Sequence, residues 1–135
     1  MIVGLDHIAI AVPDFEAAIE RFLLDFGLNY KGAEDVVSAK TKTAFFPIVG
    51  TKIELIHPLN DEGPVKKYLE KRGGGLHHIC FKTDDIEDDM ERLKGKGYQF
   101  LSETPQAGAH GTRVAFIHPK STDGILIELA EHPEG

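Results

Sequence analysis

Two segments far apart in the chain carry the same pattern, and this repetition constrains the fold more than any other feature. Thr51–Pro58 reads TKIELIHP, and Gly124–Ala130 reads GILIELA. Each sets a single carboxylate, Glu54 or Glu128, inside a run rich in Ile and Leu. A short run of that kind predicts a strand covered on both faces. A carboxylate there is expensive to desolvate unless something cationic compensates it. Near Glu128 the sequence offers no lysine or arginine, so its partner must come from elsewhere in the fold.

The repeat reaches well beyond these strands. Gly4–Ile10, GLDHIAI, returns as Gly75–Phe81, GLHHICF; Asp14, Glu20 and Arg21 return at a constant offset as Asp85, Glu91 and Arg92. Ala44–Pro47, AFFP, is echoed by Ala115–Pro119, AFIHP. The expected order begins with a strand over Ile2–Val12, with Ile8, Ile10 and Val12 on one side and His7, Ala9 and Ala11 on the other. Asp14 should cap a helix whose apolar positions, Phe15, Ala18, Ile19, Phe22, Leu23 and Phe26, follow the helical period, with Gly27 ending it. Strands are expected over Val36–Pro47 and Thr51–Ile56, then a short helix from Pro64 to about Lys71. After the joint at Gly73, Gly74 and Gly75 the pattern restarts, with a second helix opened by Asp85 that buries Ile86, Met90 and Leu93. The fold class is therefore α+β: one domain, 1–135, built by internal duplication. Its first module covers about 1–60, a linker helix about 64–72, and its second module about 75–131.

Composition narrows the function classes. With 135 residues and a net charge of −7, the chain has no basic stripe to engage nucleic acid. Cys80 is the single cysteine, so an internal disulfide is excluded and a reducing compartment suits the chain. No apolar stretch is long enough to span a membrane, and the amino terminus lacks the marks of a cleaved leader. The expectation is a cytoplasmic protein with neither a nucleic-acid nor a membrane partner.

Each half contributes one histidine from its first strand and one glutamate from its last: His7 with Glu54, and His78 with Glu128. On the pleat, His7 shares a face with small Ala9, and His78 with small Cys80. A lone strand histidine is usually a hydrogen-bonded structural residue. Two histidines and two buried glutamates at matching places in a repeat instead point to a metal site. Two imidazoles and two carboxylates suit a divalent ion in five- or six-coordination, such as cobalt, nickel, manganese or iron, with zinc also compatible. Two remaining positions would hold water or a chelating substrate. His57, His77, His118 and His132 take structural readings, while His110, in the AGAHG loop, is a candidate for the cleft mouth.

With these residues in view, the chain resembles the vicinal oxygen chelate superfamily and, within it, the methylmalonyl-CoA epimerase family. The resemblance covers essentially the whole chain. It rests on the two x-His-Ile strand starts, the two Ile-Glu-Leu strands, Gly74–Cys80 (GGLHHIC), Gly108–Gly111 (GAHG) and Phe116–Glu128 (FIHPKSTDGILIE). It implies two βαβββ modules forming a barrel-like mixed sheet around a metal cleft. It also implies a homodimer, one divalent metal ion, an acyl-CoA substrate, and His7, Glu54, His78 and Glu128 as ligands. Glu128 would serve as an acid–base group as well. Lys120 and Ser121 are candidates for holding the CoA tail, with solvated surface as the competing reading of Lys120.

The implied chemistry is removal of the proton between a thioester and a carboxylate, followed by its return on the opposite face. Such an epimerisation needs an acid–base group on each face of the planar intermediate. The family usually carries a second glutamate just before the strand equivalent to Thr41–Phe46, and gap-free counting puts Ser38 there. A serine hydroxyl is a poor proton acceptor without an activating base. Glu34 and Asp35 are the nearest carboxylates. Two other functions share the scaffold: a glyoxalase I type isomerase with the same ligand order, and a metal-free small-molecule binding module.

Overall fold

The computed structural model describes residues 1–133. These form two compact units: His7–His77, and a second made of Met1–Asp6 with the chain from His78 onward. The elements run β1 (Ile2–Ala11), α1 (Phe15–Glu20), β2 (Ala33–Val36), β3 (Thr41–Ile48), β4 (Thr51–Pro58), α2 (Pro64–Arg72) and β5 (Gly75–Thr83), then α3 (Ile86–Gly95), β6 (Gln106–Ala107), β7 (Arg113–Ile117) and β8 (Ile127–Glu131). Strand, helix and three strands thus occur twice, in the order the repeat predicts.

The first unit orders its strands β2-β3-β4-β1, and the second orders β5-β8-β7-β6. In each, the first and last strands of the module pair in parallel and the others are antiparallel. The matching extends to register: Ala9 faces Glu54 across β1 and β4, and Cys80 faces Glu128 across β5 and β8. On the far side, Phe45 faces Glu54 and Phe116 faces Glu128.

Local sequence accounts for the helix starts. The Asp14 carboxylate accepts from Ala17 N at 3.1 Å, and the Asp85 carboxylate accepts from Asp88 N at 3.1 Å, so both predicted caps form. The first helix departs from expectation after Glu20, where a π-helical turn runs from Arg21 to Asp25 and Phe26 N donates to Arg21 O at 3.1 Å. The wider turn carries later residues off the core-facing stripe. Phe15, Ala18 and Ile19 therefore stay buried against Ala44, Phe46 and Leu55, while Leu23 and Phe26 are exposed.

Two strand boundaries also differ from the sequence reading. The segment expected as one strand over Val36–Pro47 is broken by a 3₁₀ turn at Val37–Ala39, followed by Lys40 in the left-handed region at φ 54°. The closing strand begins at Ile127 rather than Gly124. Gly124, at φ +89°, ends a turn in which its N–H donates to Pro119 O at 2.8 Å. Only glycine adopts that φ at no steric cost.

In the second unit, α3 packs Ile86 and Met90 against Ala115 and Leu129. Beside them Asp89 is fully buried, a placement its acidic neighbours Glu87 and Asp88 conceal in the sequence. Burial pushes its carboxyl upward. Hydrogen bonds from Thr83 and from Arg92 (3.0 Å), together with the amino group of Met1 at 3.3 Å, outweigh that and hold it below the ordinary aspartate value. A depressed folded-state value means stability present above the unfolded value of about 3.9 and lost as pH falls through the lower folded one. Asp89→Asn should therefore be less stable than the parent in urea at pH 7, with the gap closing in strongly acidic solution. A gap that did not depend on pH would refute this linkage.

Candidate metal centre

His7 lies on β1, and Glu54 on β4. Parallel pairing of Ala9 with Glu54 places the imidazole and the carboxylate on one face of the sheet, one pleat apart. His7 Nδ1 lies 3.2 Å from Glu54 Oε2, and both side chains are buried. Lys52, two residues before Glu54 and on the same face, brings Nζ to 3.6 Å from that oxygen and sits 5.7 Å above the Phe45 ring. Lys52 compensates part of the charge that burial makes costly.

The second unit repeats the arrangement. His78 Nε2 lies 2.9 Å from Glu128 Oε1, with both side chains again buried. Phe116, the cross-strand neighbour of Glu128, presents its ring edgewise to His78 with centroids 5.3 Å apart. Cys80 lies beneath, fully buried, supplying the small side chain that leaves room beside the imidazole. The neighbour that the fold supplies for the carboxylate of the GILIELA strand is thus a histidine.

The donor set fits a divalent ion. Two ligands occupying adjacent positions on an ion with bonds of about 2.1 Å lie roughly 3.0 Å apart. The two nitrogen–oxygen distances, 3.2 Å and 2.9 Å, bracket that value. Each pair is anionic through its carboxylate, and each is shielded from bulk water. Such a pair is costly to bury as it stands and is stabilised by a cation.

The remaining candidates lie in short turns of the second unit. His110 is exposed in a turn at Ala109–Gly111, with φ 57°. Lys120 is exposed, and its N–H donates to His118 Nδ1 at 3.0 Å. Ser121 Oγ accepts from Gln99 N at 3.1 Å, which ties the turn after β7 to the segment following α3. Of the histidines read as structural, His57 Nδ1 lies 2.8 Å from Val12 O, His77 meets the Tyr68 ring edgewise, and His132 pairs with Asp6. The Asp6–His132 pair escaped the sequence reading. So did the double role of Glu131, which accepts from Ile86 N at 2.8 Å and from Arg113 at 3.3 Å. Neither has a motif that would announce it.

Residues 6–116 match the model of the Glyoxalase/Bleomycin resistance protein/Dioxygenase superfamily, and the chain belongs to that superfamily. Within it, the chain is similar along its whole length to acyl-CoA epimerases. The ethylmalonyl-CoA/methylmalonyl-CoA epimerase of Cereibacter sphaeroides is 42% identical, over 97% of this chain and 99% of its own length. The mitochondrial methylmalonyl-CoA epimerase of Dictyostelium discoideum is 38% identical, over 94% of this chain and 77% of its own. Among solved structures, the methylmalonyl-CoA epimerase of Mycobacterium tuberculosis superimposes with a TM-score of 0.92 at 33% identity, covering 97% of this chain and 89% of that one. A Streptomyces coelicolor epimerase variant in complex with 2-nitronate-propionyl-CoA gives 0.94 at 31% identity, covering 98% and 99%.

Proposed function

We propose that this chain epimerises methylmalonyl-CoA, using one divalent metal ion held by His7, Glu54, His78 and Glu128. The observation that carries the reading is the pair of buried histidine–glutamate contacts, repeated in register, in a chain similar end to end to acyl-CoA epimerases. When bound, the ion supplies Lewis-acid polarisation of a chelated carbonyl oxygen. The residues do the rest. His7 and His78, through one ring nitrogen each, and the two carboxylates would complete the donor set. Glu128 also moves a proton at the substrate carbon between the thioester and the carboxylate, and the aromatic neighbours, buried Phe45 and half-buried Phe116, limit access of water to the carboxylates. A homodimer working in the cytoplasm belongs to the same reading. Among the described residues, no helix is long and apolar enough to cross a membrane.

A glyoxalase I type isomerase remains the second reading, because the same His-Glu-His-Glu order would serve it. The lactoylglutathione lyase GLX1 of Arabidopsis thaliana is 25% identical, and the match spans 43% of that protein. The two enzymes separate on substrate. Purified protein should exchange the α-proton of methylmalonyl-CoA in deuterium oxide and leave the methylglyoxal–glutathione adduct unchanged. Turnover of the adduct without exchange on the thioester would select the second reading. Elemental analysis of the same sample should find about one metal ion per chain, and its absence would favour a binding module.

A further inference from the structure

We infer that Glu34 is the acid–base group for the second face of the substrate, an inference that rests on the epimerase reading above. The register of the first unit carries it. On β2, Glu34 faces Thr43 and Asp35 faces Lys42. On β3, Thr43 faces Ile56 and Phe45 faces Glu54. On β4, Glu54 faces Ala9 and Ile56 faces Ala11. Directly opposed residues share a face of the sheet, and residues two apart on a strand do too. Glu34, Thr43, Phe45, Glu54 and His7 therefore stand on one face.

Asp35 stands on the other. Its cross-strand neighbour Lys42 reaches the Phe15 ring of α1, with Nζ 5.4 Å from the centroid. The same side carries Ala44, Phe46 and Leu55, which are packed under Phe15, Ala18 and Ile19. The sheet itself thus separates the Asp35 side, which helix α1 covers, from the face that bears His7 and Glu54. Ser38, the residue at the counted position, is exposed in the turn after β2, off the ladder altogether.

The carboxylates on β1, β2, β3 and β4 are Asp6, Glu34, Asp35 and Glu54. Asp6 precedes His7 on β1, and its carboxylate is committed to His132. By register Glu34 and Glu54 stand on the His7 face, and Glu54 is committed to His7 and Lys52. Strand spacing puts the Cα atoms of Glu34 and Glu54 about 12 Å apart, two strands across and two residues along. Two glutamate side chains narrow that span to the width of a small acyl group.

The proton balance is simple. Ionised Glu34 takes the α-proton of one epimer; the C–H bond breaks, an O–H bond forms on Glu34, and the electron pair passes to the thioester oxygen as an enolate. A proton delivered by the carboxyl of Glu128, the acid–base group of the first face, to the opposite face of the carbon breaks the O–H bond of Glu128, forms the new C–H bond and gives the other epimer. Glu34 is half-buried, not sealed, so its proton returns to solvent between turnovers.

The test compares Glu34→Gln, Glu34→Ala and Asp35→Asn for interconversion of the two epimers, α-proton exchange in deuterium oxide, and metal content. Glu34→Gln should slow interconversion at least about a hundredfold. It should still exchange the α-proton of one epimer and should hold as much metal as the parent. Asp35→Asn should match the parent within about twofold, the small change expected of a side chain off the site. Added formate should restore part of the activity of Glu34→Ala, which a structural role would not allow. Interconversion by Glu34→Gln within threefold of the parent, or a large loss in Asp35→Asn, overturns the assignment. Should Glu34→Gln misfold by circular dichroism, failure of formate to rescue folded Glu34→Ala overturns it as well. A parent that exchanges no α-proton at all defeats the epimerase reading itself, and this inference with it.

Discussion

Replacing Glu128 with alanine should strip the protein of its metal and of activity together while leaving it folded. The side chain is buried on β8, with Oε1 2.9 Å from His78 Nε2 and with Cys80 and Phe116 as its strand neighbours. On the proposed ligand set, truncation removes one of two anionic donors and an acid–base group at once. Bound metal after dialysis should fall at least about tenfold, and epimerisation roughly a thousandfold, the scale typical of losing one electrostatic contact to a developing oxyanion. The metal-free variant should unfold in urea close to the metal-free parent, since a desolvated carboxylate contributes little to stability and its removal relieves a burial cost. Glu128→Gln should share the metal loss while preserving the shape of the site. Full metal occupancy in either variant would refute the assignment. Glu54→Ala makes a useful contrast, because it would also leave Lys52 without the carboxylate 3.6 Å away.

The parts of this site legible in the sequence were those that the duplication displayed twice. His7 and His78 could be matched because each follows a glycine-led strand start, and Glu54 and Glu128 because each interrupts an Ile/Leu run. What a repeat cannot show is geometry specific to one half. The π-helical turn at Arg21–Asp25 changes which side of the chain faces the core, although Leu23 and Phe26 fit the apolar period of a regular helix. The turn at Val37–Ala39 has no Gly or Pro to signal it, so the sequence reads as one β segment over Val36–Pro47 and β2, at Ala33–Val36, goes unseen. That error mattered, because the pairing of Glu34 with Thr43 exists only once the break is recognised. Asp89 hid for a different reason. An acidic run at a helix start normally faces water and favours the positive end of the helix dipole, whereas here its last member is drawn inside by Thr83 and Arg92.

The largest loss of stability should follow from Phe46→Ala. Phe46 is fully buried on β3, opposite Ile53, and packs with Ala44, Leu55, Phe15 and Ile19 beneath α1. Its ring lies 5.8 Å from that of Phe22 and stacks on that of Tyr30 at 5.2 Å. Truncation removes the transfer free energy of a whole aromatic ring and opens a cavity that paired strands cannot collapse to fill, a cost of about 3–5 kcal/mol. For a domain of this size, that corresponds to a drop in Tm of about 10–20 °C. Phe26→Ala is the control: the ring is 60% exposed and meets Phe22 edgewise at 5.1 Å, so its loss should cost under about 1 kcal/mol. The apolar period of the sequence ranks these two phenylalanines together, whereas the π-helical turn separates them. Because Phe46 and Phe45 are successive residues on β3, Phe46 faces α1 while Phe45 stands on the His7 face. Folded Phe46→Ala at low temperature should therefore retain its metal. Equal losses of stability in the two variants, by urea titration at one temperature, would contradict the packing described for the first unit.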